Sequence, residues 1–566
     1  LVAAFDHRDI LIDPDPDPAL SFAERKRLAE LPRSSWQDYD RDALSPGGGV
    51  YSRAAKRVAL SPQAMRVLGT DQSELTPNQL IATILKAPVD LLWNGGIGTY
   101  VKGGADSNDS VQDRANDAVR VNGGDVRARV VGEGGNLGFT QAGRIEYDRA
   151  GGRIFTDFID NSGGVHCSDR EVNLKILLGM AIERGLLDPA DRDGIVTMVA
   201  PNVVAAVVYD NFLQAQILAQ EAARSAGRID AYEDLMQALE EDDLLDRSIE
   251  WLPSAEEMAE RSRAGQGMAR PELAVLLAYA KRSLSASLLA SDLPDWDHFD
   301  DDLEQYFPGP VVDRFGSLVA EHPLRRELVA TIVANQVINS LGVTFVSRLE
   351  AETGATAADV VRAYRVARAV TAASDRWATI ESLDGKVPAD VQRELLEGVD
   401  KLVELVARWY LGRPKGETLT KDIEAFAVAF GELADELHLI GPEDWRAVRE
   451  EQCHALVGRG IPEYLARRHA YQIELVHAPD IIDVAAQTGR HVHDVARVFF
   501  RVGQAFRIDW LESQVGALPA RTRWERWSVQ TLDDELLSLR RVLVERVLAE
   551  GEGRTADEAV DLFLLA

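Results

Sequence analysis

Apolar residues follow two different patterns along the chain. Up to about residue 175, short apolar runs alternate with stretches rich in Gly and Asp, which is typical of buried strands and turns. From residue 176 to residue 566, apolar residues recur at helical spacing instead. We therefore predict an α/β domain over residues 1–175, followed by a large all-α domain over residues 176–566 that has one or two lobes.

Three apolar runs in the first domain are predicted to be strands of a parallel sheet: residues 1–5, 89–93 and 127–131. A helical pattern over residues 79–87 lies between the first two runs, as expected where strand, helix and strand alternate. Residues 144–147 and 153–159 are interpreted as a further strand pair around a Gly-Gly turn. Two polar stretches are predicted to be loops: residues 13–18 and 103–125.

Two stripes illustrate the helical pattern of the second domain. One consists of Leu402, Leu405, Val406, Trp409 and Tyr410. The other, near the end of the chain, consists of Leu532, Leu536, Leu539 and Leu543. Such i, i+3, i+4 and i+7 spacing predicts helices that bury these residues on one face.

The charge of the chain narrows the classes of partner. The chain has 62 Lys and Arg residues and 92 Asp and Glu residues, which gives a net charge of −30. Because this negative charge repels nucleic-acid phosphates and anionic lipids, we expect neither a nucleic-acid nor a membrane partner. No uninterrupted apolar run in the sequence reaches the ~18 residues that span a bilayer.

Cysteine usage and the first residues add two expectations. With only Cys167 and Cys453, no disulfide framework forms, which suits a reducing cytoplasm. The chain starts at Leu1, which is not a Met, and its first five residues have the pattern of a buried strand. We expect from this that the sequence is a fragment of a longer polypeptide.

Two candidate ligand-binding positions follow predicted strands. In a dinucleotide-binding fold, an acid at the end of the second strand bonds the adenine ribose, and Asp6 follows residues 1–5 directly. Asn94, Gly95 and Gly96 follow residues 89–93, where glycine lets a backbone approach a ligand. A simple turn remains the alternative interpretation at both places.

A second glycine-rich turn, residues 132–138, does not fit a pyrophosphate loop. The third glycine of that motif belongs at position 137, which is Leu137, and no clear helix follows. Further along, Ser168 and Glu171 form a Ser-x-x-Glu capping box, which predicts a helix from Ser168 to about Gly185. The start of such a helix attracts carboxylates. His166 and Cys167 lack the spacing of a metal site, so no metal is expected.

The chain resembles the large bacterial NAD-specific glutamate dehydrogenases over nearly its whole length. Two blocks carry the general resemblance: Glu-Gly-Gly-Asn at residues 133–136 with Thr140, and Asn-Ser-Gly-Gly-Val at residues 161–165 with Ser168 three residues on. Three longer runs are similar to the large NAD-specific subgroup in particular: residues 87–100, 152–161 and 270–281. Residues 335–355 are similar to it as well.

The resemblance implies a partial Rossmann-like domain and oxidative deamination of L-glutamate to 2-oxoglutarate and ammonia, with NAD as cofactor. Carried over, Asp6 would hold the adenine ribose, and Asn94, Gly95 and Gly96 would line the cofactor cleft. The nicotinamide side would be formed by Asn136, Asn161, Gly163 and Gly164. Ser168 would bind the substrate carboxylate. A cytoplasmic homo-oligomer is expected.

This chain departs from the family pattern at two points. The catalytic lysines with their proton-shuttling carboxylate, and the Gly-rich pyrophosphate turn, are not found here and would lie upstream of Leu1. We therefore expect no catalytic residue in this chain and no activity from it alone. Two alternatives stay open: a non-catalytic helical scaffold with a degraded nucleotide domain, and a dehydrogenase of another amino acid.

Overall fold

A computed structural model describes residues 1–414, 416, 418–520, 522–551 and 553–565. The chain forms two compact units. The first unit comprises residues Leu1–Gly227 and Leu245–Ala278, and the second comprises Arg228–Leu244 and Tyr279–Ala566. The predicted domain boundary at residue 175 stays a prediction.

The strands of the first unit are β1 (Ala3–Phe5), β2 (Asp9–Ile12), β3 (Gly49–Ser52), β4 (Val58–Ala59), β5 (Glu74–Leu75), β6 (Leu91–Asn94), β7 (Val101–Lys102), β8 (Val121–Asn122) and β9 (Val130–Glu133). Its helices before residue 227 are α1 (Pro18–Glu30), α2 (Pro62–Leu68), α3 (Pro77–Leu85), α4 (Asn108–Val111), α5 (Gln141–Arg149), α6 (Asp157–Asp160), α7 (Ser162–Glu183) and α8 (Arg192–Arg224).

The helices that follow along the chain are α9 (Ile229–Glu241), α10 (Ala255–Ala264), α11 (Arg270–Leu289), α12 (Asp300–Tyr306), α13 (Gly309–Phe315), α14 (Arg325–Leu341), α15 (Phe345–Thr353), α16 (Ala357–Val370), α17 (Ala373–Glu381), α18 (Ala389–Leu411), α19 (Leu419–Ile440), α20 (Glu443–Gly458), α21 (Glu463–Tyr471), α22 (Ala478–Thr488), α23 (Val492–Ala505), α24 (Ile508–Gly516), α25 (Arg523–Glu550) and α26 (Ala556–Leu565). The predicted helical character of this part is confirmed.

Two of the three predicted parallel strands are paired as expected. β6 and β9 run parallel, with Leu91 opposite Val130 and Asn94 opposite Glu133. The predicted helix over residues 79–87 is present as α3, which Thr76 starts with a capping box to Gln79. This parallel pair is the observed part of the expected α/β arrangement, and a complete dinucleotide-binding sheet stays a prediction.

The parallel pairing predicted for residues 1–5 is wrong. β1 pairs antiparallel with β2, and β2 pairs antiparallel with β3. The cause is local: the Asp6 carboxylate accepts hydrogen bonds from the backbone N–H groups of Arg8 and Asp9, which folds the chain back within a few residues.

The strand pair predicted at residues 144–147 and 153–159 is also wrong. Residues 144–147 lie in α5 and residues 157–159 lie in α6, while Arg153 forms an isolated parallel bridge with Val130. The Thr140 side chain caps α5 by accepting from the Gly143 N–H. Tyr147 is buried and donates to the Ala128 carbonyl oxygen at 2.7 Å. This buried contact favours the helix at Tyr147, and the local apolar pattern gives no sign of it. The predicted loop over residues 103–125 contains α4 and the short strand β8.

In the second unit, α18 confirms the first predicted stripe. Leu402, Val406 and Tyr410 are buried, and Leu405 and Trp409 are half-buried. The second stripe is different: α25 buries Val544, Val547 and Leu548, while Leu532 and Leu539 are 48% and 51% exposed. The helix predicted from the leucine stripe is confirmed as α25, but the stripe is not the most buried face of that helix.

By length and hydropathy alone, one helical segment of the described chain, Pro189–Glu241, is long and apolar enough to cross a bilayer. The bent pair Arg325–Leu341 and Phe345–Thr353 passes the same test when it is taken as one span. Of the most apolar window in Pro189–Glu241, 17% is buried, and one or two such helices are weak evidence of a membrane span. The expectation of no membrane partner stays a prediction.

Candidate functional site

The carboxyl ends of β6 and β9 bring two glycine-rich turns together. Both strands end at the same edge because they run parallel, with Asn94 opposite Glu133. The Gly135 N–H donates to the Asn94 carbonyl oxygen at 2.9 Å. A Cβ at Gly135 would collide with the Gly96 carbonyl oxygen, so the close approach of the two turns requires glycine there.

The predicted cofactor residues after β6 lie at this edge. Gly95 and Gly96 are exposed, and a Cβ added at Gly96 would meet no atom within 4 Å. The Asn94 side-chain oxygen accepts from the Gly96 N–H at 3.3 Å. Asn94 Nδ2 is buried and finds no partner among the described residues. A buried donor of this kind is costly unless it finds a partner.

Asn136 and Asn161, predicted on one side of the cofactor, are in direct contact. Asn161 Nδ2 donates to Asn136 Oδ1 at 2.7 Å. The remaining amide atoms, Asn136 Nδ2 and Asn161 Oδ1, form no hydrogen bond within the part of the chain that the structure describes. One amide donor and one amide acceptor are thus left for a ligand, and a carboxamide group has the complementary acceptor and donor.

An ionic network lies beneath this contact. Arg144 on α5 donates through Nε and Nη2 to the two carboxylate oxygens of Glu133, at 2.7 and 3.0 Å. Its Nη2 also lies 3.2 Å from the Asp157 carboxylate. Glu133 and Arg144 are almost completely buried. A bidentate guanidinium–carboxylate pair is among the strong, directional contacts of proteins, so it fixes α5 against the end of β9.

The network continues to the backbone of both asparagine segments. The Asp157 carboxylate accepts from the Leu137 N–H at 2.8 Å, and the Asp160 carboxylate accepts from the Glu133 N–H at 2.9 Å. Glu133 itself accepts from the Phe139 N–H at 3.1 Å. Burial raises the pKa of Asp160 to about 6, and the negative charge of Glu133 acts in the same direction.

The capping box predicted at Ser168 is wrong. α7 begins at Ser162, so Ser168 lies inside the helix, where its hydroxyl donates to the Gly164 carbonyl oxygen at 3.2 Å. The Ser-x-x-Glu pattern is short, and here the helix has already started upstream of it. Gly163 and Gly164 lie in the first turn of α7 and are exposed, and a Cβ at Gly163 would meet no atom within 4 Å.

Asp6 lies in the turn between β1 and β2. One of its carboxylate oxygens is engaged by the backbone N–H groups of Arg8 and Asp9, at 2.6 and 2.8 Å. The structural role of Asp6 is therefore to close the hairpin, which was the alternative interpretation of this residue. Its predicted contact with the adenine ribose stays a prediction.

Sequence reasoning missed the residues of the ionic network, because an acid and an arginine 11 positions apart give no local signal. It also missed the partner of His166. His166 Nε2 lies 3.2 Å from the Asp210 carboxylate on α8, and Arg170 donates to the same carboxylate at 2.6 Å. Although burial opposes ionisation, His166 and Arg170 lower the pKa of Asp210.

Exposed apolar side chains occur on the same segments as the polar contact. Ile97 is 91% exposed and Val165 is 78% exposed, and Leu137 and Phe158 are also exposed. Exposed apolar groups next to a few convergent polar atoms are typical of binding sites. In the described residues, no group of three or more His, Cys, Asp or Glu side chains is placed to hold a metal ion.

Comparison with models of known protein families shows the family of the chain. Residues 1–221 match the model of the bacterial NAD-glutamate dehydrogenase catalytic domain, and residues 265–566 match the model of the glutamate dehydrogenase C-terminal region. The chain belongs to the bacterial NAD-glutamate dehydrogenase family.

Three curated relatives carry the name NAD-specific glutamate dehydrogenase. The one from Pseudomonas aeruginosa is 42% identical over 560 residues, and the one from Halomonas elongata is 41% identical over 569 residues. The one from Mycobacterium tuberculosis is 39% identical over 568 residues. These matches cover 99–100% of this chain but 35% of each relative, so the chain spans about a third of the length of these proteins.

Proposed function

We propose that this chain is part of an NAD-dependent glutamate dehydrogenase. The reaction is oxidative deamination: L-glutamate, NAD⁺ and water give 2-oxoglutarate, ammonium, NADH and a proton. The observation that carries the proposal is the Asn136–Asn161 contact at the carboxyl ends of two parallel strands, which is where α/β sheets bind their ligands. The family of the chain supports both the substrate and the cofactor.

The residues at this edge fit a dinucleotide. Bound NAD would supply the hydride acceptor. Asn136 Nδ2 and Asn161 Oδ1 would bond its carboxamide, and the buried Asn94 Nδ2 offers a further donor. Gly95 and Gly96 leave the turn after β6 open to a close approach, as the exposed Gly163 and Gly164 do at the start of α7.

Two further roles belong to the same proposal. The exposed Ser168 hydroxyl, two residues from Arg170, would bond a substrate carboxylate from within α7 rather than from its first turn. The free carboxylate oxygen of Asp6 would bond the adenine ribose, while the other oxygen keeps the hairpin closed. Both roles rest on the family pattern.

We also propose that the 566-residue chain is inactive alone. The lysines and the proton-shuttling acid of the family pattern were not found in its sequence, and the chain spans about a third of its relatives. Groups of this kind each contribute roughly 10²- to 10⁴-fold to a rate. Activity would then require the longer polypeptide.

The test compares two purified proteins, the 566-residue chain and a polypeptide of the relatives' full length that carries it. We expect the full-length protein to reduce NAD⁺ with L-glutamate, but not with L-leucine or L-valine, and the chain alone to give no turnover. Turnover by the chain would contradict its inactivity. A full-length protein that neither turns over nor binds NADH would contradict the dehydrogenase and support a scaffold, and turnover with leucine would favour a dehydrogenase of another amino acid.

We further propose a cytoplasmic homo-oligomer. Exposed apolar side chains on α25, with Trp524 70% exposed, offer a surface that a second copy would cover. Light scattering of the full-length protein measures the assembly, and a monomer at micromolar concentration would contradict the proposal.

A further inference from the structure

The Arg144 guanidinium lies at the centre of the network beneath the asparagine contact, yet it touches neither asparagine. It pairs with Glu133, the last residue of β9, and with Asp157, the first residue of α6. These two acids belong to the two segments that carry Asn136 and Asn161. The buried Arg144 guanidinium therefore links the segment that carries Asn136 to the segment that carries Asn161.

Each asparagine has a neighbour whose backbone the network holds. Leu137, next to Asn136, donates its N–H to Asp157 and has a left-handed backbone with φ of 57°. Asp160, next to Asn161, accepts from the Glu133 N–H. A non-glycine residue in the left-handed region is sustained by its surroundings, which here include the Asp157 carboxylate on the Leu137 N–H and the Thr99 hydroxyl on the Leu137 carbonyl oxygen.

Glu133 also closes the turn that carries Asn136. Its backbone N–H bonds to Asp160 before the turn, and its carboxylate accepts from the Phe139 N–H after the turn. The same carboxylate is oriented by the two hydrogen bonds from Arg144. Without the guanidinium, a buried carboxylate would be left unpaired, and it would turn toward other donors or toward water.

We propose that Arg144 is a positioning residue for the cofactor site, which sets the distance between Asn136 and Asn161 through Glu133 and Asp157. The inference rests on the proposed function, in which the two asparagines bond the cofactor carboxamide. Displacing such a pair by about 1 Å costs on the order of 10- to 100-fold in binding or rate. The family pattern assigned no role to Arg144.

Arg144→Lys is the sharpest variant, because it keeps the charge but cannot make two parallel bonds to Glu133. Arg270→Lys is a matched control: Arg270 pairs with the largely buried Asp148 at 2.8 Å in the same unit, and the contacts described for this pair involve neither turn. The double variant Glu133→Gln/Arg144→Met removes both buried charges and covers the case in which Arg144→Lys folds poorly.

The first readout needs no cofactor. Hydrogen exchange, measured by mass spectrometry on the 566-residue chain, follows the N–H groups of Glu133, Leu137 and Phe139, which the network protects. We expect at least about 10-fold faster exchange over residues 133–139 in Arg144→Lys, with α5 unchanged, and no change in Arg270→Lys. Unchanged exchange over residues 133–139 would overturn the proposal whatever binds at the site.

The second readout is NADH affinity of the full-length protein, measured by fluorescence beside the thermal midpoint. We expect Kd to rise about 10-fold in Arg144→Lys and in the double variant and to stay unchanged in Arg270→Lys, at a temperature below the midpoint of every variant. Equal Kd values in wild type and Arg144→Lys would overturn the positioning role while leaving the proposed function intact. If the wild type itself does not bind NADH, the proposed function fails. Faster exchange in Arg144→Lys would then show only that Arg144 stabilises the fold of residues 133–139.

Discussion

The side-chain amide of Asn161 donates a 2.7 Å hydrogen bond to the side-chain oxygen of Asn136, 25 residues earlier in the chain. One asparagine follows β9 and the other precedes α7, so this bond ties the end of a parallel strand to the start of a helix. The bond brings the two side-chain amides into contact, and this contact makes their role testable.

Asn161→Ala is expected to raise the Kd for NADH of the full-length protein about 10-fold, since a hydrogen bond to a ligand and the lost orientation of its neighbour amount to roughly 1.4 kcal/mol. Asn202→Ala, at an exposed position on α8, serves as the control and should leave Kd unchanged. Fluorescence titration with NADH measures both. Equal affinities of Asn161→Ala and wild type would remove Asn161 from the cofactor site.

Asp160→Asn tests the effect of the buried acid on stability. The pKa of Asp160 in the folded chain is about 6, above its ordinary value of 3.8, so the folded state keeps a proton that the unfolded state has released. The free energy of unfolding therefore falls as pH rises through this window, by no more than about 3 kcal/mol in total.

The amide of Asp160→Asn can still accept the Glu133 N–H but carries no charge. We expect the variant to gain stability over the wild type, and the gain to grow by roughly 0.5–1 kcal/mol between pH 5.5 and pH 7.5. Urea unfolding at both pH values measures the difference, with Asp109→Asn at an exposed position as control. A gain that is the same at both pH values would contradict the raised pKa.

The sequence anticipated the parts of this site that depend on short patterns. Apolar runs followed by glycine predicted the parallel strands and the two turns, and the resemblance brought Asn136 and Asn161 to the same place. The roles of Arg144, Asp157 and Asp160 could not be anticipated, since they depend on α5 packing beneath β9, and residues 144–147 had been interpreted as a strand. Buried ion pairs between distant positions leave no periodic signal.

At Ser168, by contrast, a short sequence pattern predicted a helix cap that the structure does not have. Because Ser168 lies inside α7 and caps nothing, Ser168→Ala should change the free energy of unfolding by less than about 0.5 kcal/mol. Ser254 does cap α10: its hydroxyl accepts from the Glu257 N–H, and its own N–H donates to the Glu257 carboxylate. Ser254→Ala should cost about 1 kcal/mol.

Urea unfolding of the two serine variants decides between the local pattern and the observed helix start. Equal costs of about 1 kcal/mol at both positions would mean that α7 begins at Ser168 after all. The variants are closely matched, since each removes one hydroxyl from an exposed serine in the same unit.

Two leucines on α25 test which face of that helix is buried. Leu548 is 3% exposed and Leu532 is 48% exposed, although Leu532 belongs to the apolar stripe that predicted the helix. Leu548→Ala should lower the free energy of unfolding by roughly 2–5 kcal/mol, because it opens a cavity in a packed region. Leu532→Ala should cost less than about 0.5 kcal/mol in a monomer. Urea unfolding across a range of protein concentrations measures both: a cost at Leu532 that grows with concentration would show that a second copy covers this stripe, and equal costs at any concentration would contradict the orientation of α25.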